Sequence, residues 1–198
     1  SYFNQPRIAK WNLERFAECL IPLISSDSKK SIRIASDILE KFPDKYKKSW
    51  LKMMREKLGL LGEENKDEEL IEELLSWMKK NKADYTNTFC YLMNKLNLNS
   101  NIYESPEFTN WKKKWVSRVK LNNGTLEKSL NLMKKSNPIV IPRNNIVEES
   151  LNIAIRDNNF SKFRELLDIL KNPESYPSLI SYYQSPGAKR KYVTYCGT

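Results

Sequence analysis

The sequence predicts an all-α protein, an irregular bundle of about nine helices, and three observations carry that expectation. Apolar residues recur three or four positions apart along most of the 198-residue chain, the period of a helix with one buried face. Start and stop residues such as Asp27, Gly59 and Ser105-Pro106 fall between those stripes. The one β-like stretch, Ile139-Val140-Ile141, is pinned between Pro138 and Pro142 and is too short for a sheet. No fixed repeat period emerges, which argues against a solenoid.

In chain order, Leu13, Phe16, Ala17, Leu20 and Ile24 form the first stripe, which Pro22 must kink or end. Ala35, Ile38, Leu39 and Phe42 form the second, behind a cap at Asp27 or Ser28. Tyr46, Trp50, Met53 and Met54 form the third, and Gly59 stands where a helix ending in Lys57-Leu58 wants a left-handed residue. Asp67 opens a fourth helix carrying Leu70, Ile71, Leu74, Leu75 and Met78, acidic in its first turns and basic in its last, as the helix dipole favours. Tyr85, Phe89, Leu92, Met93 and Leu96 mark the fifth. Ser105-Pro106 starts the sixth, because proline at the first helical position loses no needed hydrogen bond; Phe108, Trp111, Trp115 and Val119 line its apolar side. Leu126, Leu130 and Met133 give the seventh, Val147, Leu151, Ala154 and Ile155 the eighth, and Phe160, Phe163, Leu167 and Leu170 the ninth. Residues 1–171 therefore read as one helical domain. From Asn172 on, Pro173, Pro177 and Pro186 among Ser and Tyr read as an extended tail, residues 172–198, either wrapping a surface or free in solvent.

Composition sets further bounds. With 40% hydrophobic, 11% aromatic and 29% charged residues, the chain suits a soluble globular protein. At this length it buries roughly 70% of its unfolded surface without needing disulfides. No apolar run approaches the length of a membrane span. The first residues show neither an initiator Met nor a signal-peptide layout, so the start reads as a cut end and the expected location is cytoplasmic. There is no histidine, which removes Ser-His and Cys-His catalysis and any His-containing zinc site. None of the five glycines falls in a phosphate-cradling pattern, so nucleotide binding by this segment is not expected. Three cysteines, Cys19, Cys90 and Cys196, show no C-x-x-C spacing, so neither a disulfide framework nor a zinc knuckle is expected, and the compartment reads as reducing.

Charge is uneven. The total is +10 with pI near 9.4, yet residues 63–75 carry a net −6, leaving +16 elsewhere. Lys112, Lys113, Lys114, Arg118 and Lys120 surround Trp111 and Trp115, a pattern that binds phosphates and stacks bases in some proteins. The tryptophans lie on the apolar stripe and the lysines off it, so a buried helix with a solvated basic face is the favoured reading. The carboxylates of residues 63–73 likewise suit a solvated helix start rather than an acid/base pair or a metal loop. Cys19 and Cys90 sit at or beside apolar stripes as small core residues. Cys196, third from the end, has an accessible thiol, and chemistry alone leaves open whether it reacts or has no role.

Particular strings carry a resemblance. Asn4-Gln5-Pro6-Arg7-Ile8-Ala9-Lys10-Trp11-Asn12-Leu13, Met54-Arg55-Glu56-Lys57-Leu58-Gly59-Leu60, Asp84-Tyr85-Thr86-Asn87-Thr88-Phe89, Asn137-Pro138 with Ile141-Pro142-Arg143-Asn144, and Thr194-Tyr195-Cys196-Gly197-Thr198 resemble successive segments of the selenoprotein O family, also called YdiU. They occur in family order from one end of the chain to the other.

The resemblance implies the C-terminal helical part of a protein-kinase-like fold that transfers AMP from ATP to Ser, Thr or Tyr hydroxyls of proteins. It implies that the phosphate loop and the residues for ATP and Mg2+ lie upstream of Tyr2, so that this chain holds no catalytic, cofactor-binding or metal residue. It implies as partners the N-terminal catalytic lobe of the same protein and its protein substrates; the lack of a long apolar run argues against a membrane partner, and the amphipathic pattern around Trp111 disfavours nucleic acid. It gives Cys196 the place of the selenocysteine or cysteine near the end of family members, a redox switch paired with an upstream cysteine. Two other readings compete: a binding module using the basic helix near Trp111 for acidic proteins or nucleic acid, and a purely structural helical domain.

Overall fold

The computed structural model describes residues 4–186, and within them every regular element is helical. The chain divides into two compact units, Ser1–Met54 and Arg55–Thr198.

The first unit holds α1 (Gln5–Ile24), α2 (Ser28–Leu39) and most of α3 (Phe42–Lys57). Pro22 lies in the last turn of α1, which ends two residues later. Between α1 and α2, Asp27 caps the second helix, its carboxylate accepting from the Lys29 and Lys30 amides at 2.9 and 3.3 Å. Ser31 is buried beneath this turn and donates to the Ser25 and Asp27 carbonyls, both at 3.2 Å. Phe42, placed by its spacing at the end of the second stripe, instead begins α3, with Pro43 in the first turn. The largest departure lies in α1, where none of the residues is buried. Of its expected core stripe, Leu13, Phe16 and Ile24 are exposed, and Ala17 and Leu20 are half-buried.

The second unit continues from the end of α3 through α4 (Asp67–Asn81), α5 (Tyr85–Leu92), α6 (Pro106–Val119), α7 (Leu126–Ser136), α8 (Asn144–Asp157), α9 (Ser161–Lys171) and the short α10 (Ile180–Gln184). Nine helices of eight residues or more thus occur among the described residues, at the nine places the stripes indicate. α4 packs on α6 around an aromatic core in which Phe108 meets Trp77, Tyr91, Tyr103 and Trp111 at ring-centroid distances of 4.5–5.7 Å. The indoles of Trp111 and Trp115 are buried, and each donates to a backbone carbonyl at 2.8 Å, Leu70 and Leu58 respectively. Ser105 and Thr125 cap α6 and α7 through their hydroxyls. α5 ends earlier than its apolar spacing suggests, since Asn94 turns left-handed at φ 54° before Leu96 is reached.

A second core unites Val140, Ile146, Leu166, Ile169 and Tyr183. Here the described part of the expected extended tail, residues 172–186, departs from that expectation. Pro173–Ser175 forms a 3-10 turn, Ile180–Gln184 is helical, and Ile180, Tyr183 and Gln184 are buried. Apolar burial of Ile180 and Tyr183 outweighs the extending bias of the local prolines. Among the described residues no helix is long and apolar enough to cross a membrane.

Candidate functional site

Three of the strings that carry the resemblance meet in the second unit. Asp84 caps α5, its Oδ1 accepting from the Asn87 amide at 2.8 Å. Arg143, just before α8, spans both oxygens of that carboxylate, with Nη1 to Oδ2 at 2.8 Å and Nη2 to Oδ1 at 3.1 Å. The same guanidinium donates to Asn87 Oδ1 at 3.0 Å and, through Nε, to the Tyr183 carbonyl at 3.3 Å. Such a planar fork matches a carboxylate in two bonds, which fixes direction as well as distance. Burial works to raise the Asp84 carboxyl, but the hydrogen bonds from Arg143 and the Asn87 amide outweigh it and hold it below the usual carboxylate range.

Polar groups continue the network. Asn87 Nδ2 donates to the Gln184 carbonyl at 3.0 Å. The buried Gln184 amide donates to the Lys95 and Ile139 carbonyls at 2.8 and 3.2 Å and accepts from the Asn97 amide at 2.9 Å. Cys90 lies alongside, its thiol directed at the Ile139 carbonyl at 3.5 Å. Burial, with the nearby Asp84 charge adding to it, pushes that thiol up to about 11, so it is protonated at neutral pH and not a nucleophile.

Lys57 and Asn137 join the second and fourth strings. The Lys57 ammonium donates to the Ser136 carbonyl at 3.3 Å and to Asn137 Oδ1 at 3.2 Å. It also lies 5.6 and 5.1 Å from the ring centroids of Tyr85 and Phe89, both in the third string. Asn137 returns a bond from Nδ2 to the Lys57 carbonyl at 2.8 Å. Desolvation lowers the Lys57 pKa. Every charged group of this cluster is engaged by protein partners, so its chemistry is that of a tether joining α5, α7, α8 and α10 of the second unit through Lys57, Asn87 and Arg143.

The acidic and basic segments resolve differently from the sequence reading at two residues. Asp67, counted among solvated carboxylates, is fully buried. Its Oδ1 accepts from Arg118 Nε at 2.6 Å, and its Oδ2 from Arg55 Nε at 2.7 Å and the Glu64 amide at 2.9 Å. Burial pushes this carboxyl up, yet the bonds from Arg118, Glu64 and Arg55 bring it below its ordinary value. Arg118, grouped with the solvated lysines, is buried and also donates to the Leu61 and Gly62 carbonyls at 3.1 and 3.3 Å. The signal was present: Trp111, Trp115 and Arg118 stand at i, i+4 and i+7, so Arg118 falls on the apolar stripe. Lys114 pairs with Glu73 at 2.6 Å, and Lys112 lies 4.9 Å from the Tyr91 ring centroid. Burial of both tryptophans removes the base-stacking half of the nucleic-acid pattern.

Of the cysteines, Cys19 is exposed on α1, against its expected core position, and Cys90 is buried as expected. Cys196 and the last string lie outside the described residues. Among the described residues no three His, Cys, Asp or Glu side chains gather to hold a metal ion. Buried Asp67 and half-buried Asp84 already serve arginines, so neither carboxylate stands free as a Mg2+ ligand.

Comparison with known proteins places these strings in context. The family model described as protein adenylyltransferase SelO matches residues 1–171. Over 200 aligned positions the chain is 49% identical to the protein nucleotidyltransferase YdiU of Pelagibacter ubique (strain HTCC1062). It is 46% identical to the protein of that name from Clostridium botulinum (strain Alaska E43 / Type E3) and 43% to that from Bacillus cereus (strain AH820). Each match covers the whole of this chain and 41% of the relative. The chain belongs to the SelO protein adenylyltransferase family.

Proposed function

We propose that this chain is the helical C-terminal part of a protein adenylyltransferase with a kinase-like fold, one that moves AMP from ATP to Ser, Thr or Tyr hydroxyls of other proteins. The family match over residues 1–171, combined with the 41% share of the relatives' length, supports this reading. ATP and Mg2+ belong in this reading to the part of the family's polypeptide that the chain does not span, because this sequence has no phosphate-cradling glycine pattern. The chain's own contribution is rigidity. The Asp84–Arg143 fork, the Asn87–Gln184 bonds and the Lys57–Asn137 pair hold the second unit's α5, α7, α8 and α10 in one arrangement, against which a catalytic lobe packs. Cys196 keeps its place as the redox position, joined on oxidation to a cysteine of that lobe, and the whole protein works in the cytoplasm.

Transfer of label from ATP marked at its α-phosphate, with Mg2+ and an acceptor protein, tests this. The chain alone is expected to transfer nothing. A chimera in which it replaces the matching 200 positions of the Pelagibacter ubique protein is expected to label the acceptor. Labelling by the chain alone would overturn its non-catalytic role, and an inert chimera beside an active Pelagibacter parent would overturn the assignment as a whole.

A further inference from the structure

Within its own unit the first helix leaves uncovered the face that its sequence marks for burial. At about 100° per residue, Leu13, Phe16, Leu20 and Leu23 fall on one stripe of α1, and no charged residue interrupts it. Phe16 is nevertheless 60% exposed and Leu23 81%. α2 packs along a different strip of α1, where Ala17 and Ile21 line a groove of about 720 Å³ with Ala35 and Leu39. Isolated exposed apolar residues are ordinary on protein surfaces, but a continuous helical stripe of this kind marks an interaction face.

We propose that this stripe of α1 seats the portion of the SelO polypeptide that the chain does not span, through an apolar surface of that portion. The inference rests on the reading that the chain works as part of a longer SelO protein. Two observations select this occupant. The curated relatives are more than twice as long as the chain, which covers 41% of each. The area is also too small for a separate partner. From Leu13 to Leu23 the helix rises about 15 Å and its apolar face is roughly 10 Å wide, so the stripe offers about 150 Å². Stable complexes between separate molecules bury about 800 Å² on each side, so a second copy would not hold on this stripe alone. A segment of the same polypeptide, present at an effective concentration in the millimolar range, needs far less.

Cys19 provides the test, since its exposed thiol lies on α1 next to the stripe. N-ethylmaleimide labelling, read peptide by peptide in a mass spectrometer, is compared between the chain alone and the Pelagibacter chimera. Labelling of Cys19 is expected to be about ten-fold or more slower in the chimera, because docking must open before the thiol reacts. Phe16→Glu is expected to restore the fast rate there while leaving the circular dichroism of the chain alone unchanged. Equal rates in chain and chimera would overturn the proposal. So would protection that survives Phe16→Glu, or a chain that dimerises alone with Cys19 protected. Should Phe16→Glu prevent the chimera from folding, the comparison of unsubstituted chain and chimera still decides. A chimera that protects Cys19 but transfers no AMP would sink the functional reading and leave the docking face standing; one that transfers AMP with Cys19 unprotected would do the reverse.

Discussion

Asp67 and Asp84 are carboxylates used to hold arginines in place, and that use fixes how stability responds to acid. Both have pKa values below the ordinary range in the folded chain, because guanidinium and amide hydrogen bonds to the ionised form outweigh the burial that opposes it. A group with a depressed folded pKa stabilises the fold fully above its unfolded pKa, near 4, and loses that contribution as pH falls toward the folded value. The urea midpoint of the chain is therefore expected to fall steeply below about pH 4. Asp67→Asn removes the charge facing Arg118 and Arg55 and leaves buried Arg118 without its ion-pair partner, while Arg55 keeps Glu63 at 3.4 Å. We expect it to cost about 3 kcal/mol at pH 7, with the gap to the unsubstituted chain closing as the pH falls from about 4 toward the lowered folded pKa. A gap that stays constant with pH would show that the acid limb originates elsewhere.

At the scale of elements, the turn after α3 depends on Gly59. Its φ of +67° lies in the left-handed region, and a Cβ there would run into Ser129 and Met133 of α7. Gly59→Ala is expected to destabilise the chain by about 2 kcal/mol or more, from backbone strain and displaced packing together. Chemical denaturation checks it, and a loss under about 0.5 kcal/mol would mean that α7 moves aside freely. This turn was legible in the sequence because a glycine after a lysine-rich helix end has one main structural use. The caps at Asp27 and Ser105 and all nine long helices were legible for the same reason: local rules decide them. What the sequence could not decide was which apolar faces find partners. The α1 stripe has the same spacing as those of α4 and α6, yet only the latter two are covered, since periodicity encodes the need for burial and not its supplier. Tyr183 shows the converse. With Tyr176, Leu179 and Ile180 it completes a helical i, i+3, i+4, i+7 stripe, but Pro173 and Pro177 read as extended-chain signals, and only the distant Ile146, Leu166 and Ile169 supply the core it joins. The Asp84–Arg143 fork joins residues 59 positions apart, a separation invisible to local pattern.

For the molecule as a whole, uneven burial implies uneven local stability. α4 buries Leu70, Ile71, Leu74, Trp77 and Met78, and α6 buries Phe108, Trp111, Trp115 and Val119. α1 buries none of its 20 residues, so its hydrogen bonds rest on helix propensity and one strip of contact with α2. Most helix stability in proteins comes from tertiary packing of an amphipathic face, which α1 lacks on most of its surface. Segments with few buried apolar contacts open without global unfolding, and their amides exchange accordingly. In the isolated chain, amides in the middle of α1 are expected to exchange about 100-fold or more faster than those of α4 and α6, read by mass spectrometry on peptides from each helix. The rates of α4 and α6 should slow together with added overall stability and respond to Asp67→Asn, because Asp67 and Arg118 tie these two helices to each other. Those of α1 should not respond, since its opening does not pass through that pair. Equal protection of α1, α4 and α6 would mean that α1 is held by the rest of the chain as firmly as the aromatic core. In that case its exposed stripe would not mark a weakly held element.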